Sequence, residues 1–242
     1  MIQGALLAVA ILSPANVTLT ASPTRVALSG AGRQIVQMAA AGARLPVEVS
    51  VRGYTLDLHG RPRIAPASRR LVPWLSVSPR HLTVGRRAAG ITVRAAPPRG
   101  ARPGDHLALV LLTASATSRR GVVTRMRIGV VVRLRVPGRF PRRIELRRLT
   151  VRRAGRARLL ELTLANTGAA LESIGRRELT VTLRAGGRVL ARLRPAPRDL
   201  LPHSRGLVAL RYGGRAHGKV VARVELEHPG VRRASRLFRL RL

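Results

Sequence analysis

The chain is 242 residues long, with a formal net charge of +36, 2% aromatic residues and no cysteine. The lack of cysteine excludes disulfide staples, thiolate metal sites and a cysteine nucleophile, and so few aromatics leave Val, Leu, Ile and Ala to build any core. The length accommodates two sandwich domains of ordinary size, and the charge suits polyanions such as nucleic acid, acidic polysaccharide or anionic lipid.

Lys219 is the single lysine; arginines supply the rest of the positive charge. They occur in every segment, as an evenly solvated surface requires, and not in one basic tail.

Residues 4–12 are an apolar run followed by small residues up to Ser13-Pro14-Ala15. The run reads either as the apolar stretch and cleavage end of an export leader (residues 1–15) or as an ordinary first strand; no basic residue precedes it. No later segment is long enough to span a bilayer.

From residue 16 the pattern is short and alternating, with essentially no helical period. Residues 16–21 and 25–28 form a strand interrupted by Pro23, a residue that breaks a ladder and lets an edge strand change sheets. Gly30-Ala31-Gly32 turns the chain into strands at 34–40 and 47–54, with 56–58 as a continuation. Residues 60–73, rich in Pro and Arg, read as a long connection. Strands follow at 74–77, 81–84, 91–95 and 107–114, with turns at Gly85 and 97–104.

The longest candidate is 122–136, where Met126, Ile128, Val130, Val132, Leu134 and Val136 share one face and Arg125, Arg127, Arg133 and Arg135 the other. That is well beyond the usual strand of about five or six residues. Pro137-Gly138-Arg139-Phe140-Pro141 then marks a domain boundary. A second set of strands lies at 144–151, 158–165, 178–183, 189–193, 206–212, 220–227 and 237–242. Asn166-Thr167-Gly168 is expected to turn through the tolerance of Asn and Gly for positive φ, and residues 171–176 read as a short helix or an irregular loop. The fold class is all-β: two tandem immunoglobulin-like β-sandwich domains, at 16–136 and 143–242, joined by a linker at 137–142.

Thr24-Arg25 on an early strand, followed by a long strand with Arg133 or Arg135 shortly before Pro137, resembles the amino-terminal domain of the periplasmic pilus-assembly chaperones, the PapD-like fold shared with major sperm protein. The resemblance spans roughly residues 17–136. It implies that Arg25 and Arg133 or Arg135 anchor a partner's terminal carboxylate, and that the long strand, with Val130 and Val132, offers its apolar side to a bound subunit. The chaperones favour lysine at the second anchor, and the apolar side here is either the offered face or core. The strand entry at Pro103-Gly104-Asp105-His106, the Pro-rich connection and the Asn166-Thr167-Gly168 turn are similar to Gram-positive surface proteins of the WxL-interacting type, which also carry two tandem sandwiches.

Catalytic signatures are missing from the sequence. The six histidines are scattered without metal-ligand spacing and are expected in turns, so no metal or cofactor is expected. Asp105 and His106 are adjacent, but neighbours on a strand point to opposite faces. Trp74, at the head of a strand, is expected to anchor a core. The reading is a noncatalytic, exported protein of the periplasm or cell surface that binds another polypeptide or an acidic envelope polymer, by β-strand addition along 122–136 with arginines gripping a carboxylate. A nonspecific polyanion binder and a structural spacer are the alternatives.

Overall fold

A computed structural model of the chain describes residues 8–12, 17–66, 72–117, 123–155 and 157–242. The remainder of the leader segment, Asn16, Val122 and residues 67–71 of the Pro-rich connection lie outside the described residues. The fold is all-β and divides into two compact units: Leu56–Pro62 and Arg139–Leu242 form the second, and the chain before Arg139 otherwise forms the first. Each unit has its own apolar core, as tandem immunoglobulin-like sandwiches require.

In chain order the first unit holds β1 (Ala8–Leu12), β2 (Val17–Ser22), β3 (Arg25–Ser29), β4 (Gly32–Ala41), β5 (Leu45–Leu56), β6 (Pro62–Ala65), β7 (Leu75–Ser78), β8 (His81–Val84), β9 (Ala89–Ala95), β10 (Gly104–Thr117) and β11 (Val123–Val136). One sheet runs β1-β2-β4-β9-β7. The other runs β3-β11-β10-β5-β6, with β8 also on β5. The period-two pattern explains the core, because alternate residues point to one side of a strand. Val36, Met38 and Ala40 of β4 and Ile91, Val93 and Ala95 of β9 meet Val110, Leu112 and Ala114 of β10 from across the sandwich. Each such large side chain contributes about 1.5–3 kcal/mol by leaving water. Pro23 separates β2 in one sheet from β3 in the other, so the expected change of sheet occurs there.

The connection expected at residues 60–73 contains a strand. β6 begins at Pro62 and pairs with β5, a place where a proline costs no ladder bond. Its composition hides it, since it is exposed and carries Pro and Arg in place of an alternating apolar face.

The second unit holds β12 (Ile144–Ala154), β13 (Ala157–Asn166), β14 (Glu172–Ile174), β15 (Leu179–Ala185), β16 (Arg188–Leu193), β17 (Arg198–Leu200), β18 (Ser204–Tyr212), β19 (Lys219–Leu226) and β20 (Ala234–Arg241). Its sheets are β12-β13-β18, β14-β17 and β16-β15-β19-β20. The β12–β13 register slips at Arg147, a bulge that lets Leu146 and Leu149 both face the core despite their odd spacing. Residues 171–176 are neither helix nor irregular loop: Glu172–Ile174 is a strand whose partner, Arg198–Leu200, lies far along the chain. Three residues are too few to show a period.

The Asn166-Thr167-Gly168 turn forms for a different reason from the one expected. Neither Asn166 nor Gly168 has positive φ. Instead the buried Asn166 amide donates to Ala170 O at 2.7 Å and Leu200 O at 3.1 Å, while its Oδ1 accepts from Gly168 N at 3.0 Å. Gly168 is needed for space, because a Cβ there would come within 2.6 Å of Arg143 N and Pro141 O. Gly186 and Gly187, with φ of 53° and 76°, do supply the left-handed pair that closes the β15–β16 hairpin.

Within this unit the turn at residues 56–62 is held by β17 and β18. Leu207 N donates to Leu58 O at 2.7 Å, and the Arg198 guanidinium donates to Leu58 O at 2.6 Å and Asp57 O at 3.2 Å. Burial pushes the Arg198 guanidinium below its usual range, while Asp57 and Asp199 draw it back.

Candidate functional site

Two strands of the first unit, β3 and β11, carry every residue nominated to bind a partner, and β10 lies beside β11. β10 and β11 pair antiparallel along their full length, from Gly104↔Val136 to Thr117↔Val123. β3 joins β11 in parallel, but only over Val131–Arg135. Residues 123–130 of β11 therefore have no strand partner on the side away from β10 among the described residues.

The polarity of that edge follows from the β3 contacts. Val131 N donates to Thr24 O at 2.9 Å and Arg135 O accepts from Gly30 N at 2.8 Å, so odd-numbered residues turn their main-chain groups toward the β3 side. Alternate residues of a strand do so in step. Arg125, Arg127 and Gly129 thus turn N–H and C=O away from β10, in line with β3 and ahead of it, where no described strand pairs with them although β1 comes close to β11.

Even-numbered residues face inward. Met126, Ile128, Val130, Val132 and Leu134 are at most 4% exposed and belong to the first core. Val130 and Val132, nominated to contact a partner, are fully buried, so their side chains pack the sandwich. The apolar side of the long strand is core, which decides between the two readings that the sequence left open.

The outer face carries the arginines. Arg25 is exposed and registers with Val131, and Arg133 registers with Ala27, so Arg25 and Arg133 stand on one face of adjacent strands. Arg135 is on the same face but is occupied: its Nε donates to Asp105 Oδ1 at 2.7 Å and its second nitrogen to Oδ2 at 2.8 Å. Asp105 is buried, so this fork neutralises a carboxylate that would otherwise be stranded. Arg135 is therefore a structural residue, which corrects its nomination as an anchor.

Asp105 and His106 do point apart, as the alternation requires. His106 meets the Trp74 ring edge-on at 5.0 Å, and its Nε2 lies 2.9 Å from Arg102 O. Trp74 packs against the first core as expected. His106 and His81 lie in strands and not in turns. No group of three metal-binding side chains occurs among the described residues, and no helix there is long and apolar enough to cross a membrane.

The sequence reading passed over a groove of about 610 Å³ on the outer face of β8, β5, β10 and β11, lined by Arg52, Arg125, Arg127, His81 and Glu48 among others. Its only forewarning was the arginine parity along β11. Gly129 lies on the same face, and a Cβ there would come within 2.9 Å of the Leu109 side chain.

No family profile matches the chain, and no curated protein sequence matches it. Solved structures do. A chain from the complex of a chaperone with the tip adhesin of CFA/I fimbriae aligns with a TM-score of 0.52 at 9% identity, covering 92% of this chain and 98% of its own. The class 5 fimbriae chaperone CfaA aligns with a TM-score of 0.50 at 9% identity, covering 90% and 98%. Both likenesses extend over strands of both units, and they bear on the chaperone resemblance, not on the WxL-interacting one. With its early strand divided between two sheets at Pro23 and its long β10–β11 hairpin, the chain has the two-domain immunoglobulin-like fold of the PapD-like fimbrial chaperones.

Proposed function

We propose that this protein is a noncatalytic, exported binding protein of the cell envelope that receives an extended segment of another polypeptide along the open edge of β11. The observation that carries this is the row of unpaired main-chain groups at Arg125, Arg127 and Gly129, continuous with the sheet and in line with β3. An added strand satisfies those groups by hydrogen bonds that the sheet already aims, which is how β-augmentation gains affinity. The CFA/I chaperone occurs in a complex with a tip adhesin, and a pilus or adhesin subunit is the corresponding partner class here. Export to the periplasm fits residues 1–15 as a leader. β1 approaches β11 while pairing only with β2, so removal of the leader takes β1 away from the open edge.

The main-chain contribution can be isolated at one residue. Arg127→Pro removes an outward N–H without touching a bond to β10, whereas Arg127→Ala removes the side chain alone. Relative to Arg127→Ala, the proline variant is expected to bind a captured subunit at least tenfold more weakly, from one lost bond and one acceptor left unsatisfied. Hydrogen exchange should show protection gained on binding and confined to 123–130. Equal binding by the two variants, with no protection at that edge, would rule strand addition out.

Arg25 and Arg133 supply the second part of the reading, a grip on the terminal carboxylate of the received chain. Their replacement together by Ala is expected to weaken capture about tenfold or more, as charge-assisted bonds to a carboxylate are lost, with no change in the unfolding midpoint. Unchanged affinity in a pull-down with the purified partner would remove the grip from the mechanism.

A further inference from the structure

We propose that Arg125 and Arg127 select the incoming strand by charge, so that the polypeptide received along β11 carries Asp or Glu at the two outward positions beside them. This rests on strand addition to β11 and specifies its partner. On β11 the inward positions are taken by the protein's own core, through Met126, Ile128 and Val130, so they cannot enter a groove on the partner. What β11 presents outward along its open half is Val123, Arg125, Arg127 and Gly129. A strand added there continues the pleat, and its outward side chains stand about 5 Å from those two arginines, within reach of a direct ion pair.

The protein itself leaves these charges unanswered. Neither arginine pairs with a carboxylate among the described residues. Arg125 registers with Ser115 and Arg127 with Thr113; the nearest carboxylate across the face, Glu48, lies beyond Thr113 on β5. Arg52 adds to the positive side of the groove against that one Glu48. The inward positions of the added strand abut the first core and are therefore apolar. The partner segment thus alternates acidic and apolar residues.

The same two arginines discourage self-association. A second copy pairing β11 with β11 would bring like charges together on one face, a standard defence of exposed edges. An acidic strand meets the opposite condition at the same residues.

The test uses the full chain and synthetic peptides that share one alternating apolar frame and carry Asp, Ser or Lys at the two outward positions, with affinity read by fluorescence anisotropy. The Asp peptide is expected to bind roughly three- to thirtyfold more tightly than the Ser peptide at low salt, with Lys weakest. The advantage should shrink as salt approaches about 0.5 M. R125E/R127E, its fold checked by Trp74 fluorescence, is expected to invert the order. Equal affinity for Asp and Ser peptides, with Arg127→Pro still weakening both, overturns charge selection while strand addition stands. An Asp peptide bound as tightly by Arg127→Pro as by Arg127→Ala overturns strand addition and this proposal with it. Heparin binding that exceeds the Asp peptide and depends on the same arginines assigns the surface to a polyanion and also overturns the proposal.

Discussion

Arg142→Ala is expected to destabilise the second unit by about 3 kcal/mol. Its guanidinium donates to both oxygens of Glu172, at 2.8 and 2.6 Å, and the Glu172 side chain is 1% exposed. Removing the arginine leaves a buried carboxylate with only His228 nearby, 3.6 Å away. Breaking one side of such a pair typically costs about 3–5 kcal/mol, most of it the penalty of the stranded charge. The lower figure applies because the Arg142 side chain is itself a third exposed and partly screened. Glu172→Gln in the Arg142→Ala background is expected to restore much of the loss, since the charge and not the contact is the cost. Arg142→Lys restores less, because a single ammonium cannot reproduce the two-pronged geometry. Urea denaturation followed by far-UV circular dichroism measures all three, with Trp74 reporting the first unit separately. A midpoint for Arg142→Ala within error of the wild type would remove the Arg142–Glu172 pair from what holds the second unit together.

Arg142 also shows where a sequence stops being informative. Arg142 and Glu172, like Asp105 and Arg135, are 30 residues apart, and nothing local marks either pair among so many arginines. By contrast, the alternation along β10 and β11 was legible, since both strands are long and each buries one side. Pro23 was legible as a change of sheet because a missing N–H limits where a strand can continue. β14 and β17 were not, because three-residue strands carry no period and pair only through distant contacts. At the candidate site, parity separated Val130 and Val132 from the arginines correctly, but the assignment of function to each face was incomplete. Which side of a strand is core depends on the sheet opposite it, and that sheet is assembled from β4 and β9, nowhere near β11 in sequence.

The sharpest check of that face assignment compares two neighbouring residues. Val132→Asp is expected to prevent the first unit from folding, while Val131→Asp leaves it folded. Val132 is fully buried among Val26, Val110 and the other members of the first core. A carboxylate there has no described cation within its layer and loses its hydration, a penalty of several kcal/mol that approaches the ~5–15 kcal/mol total stability of a domain. Val131, one step along, faces outward between β3 and β10, in register with Arg25 and Leu109. An aspartate at 131 meets water and the Arg25 and Arg133 side, so its cost is expected within about 1 kcal/mol. Trp74 emission and thermal unfolding read both variants. A folded Val132→Asp protein with an unfolded Val131→Asp counterpart would reverse the two faces of β11, and with them the placing of Arg125 and Arg127 on the side that meets a partner.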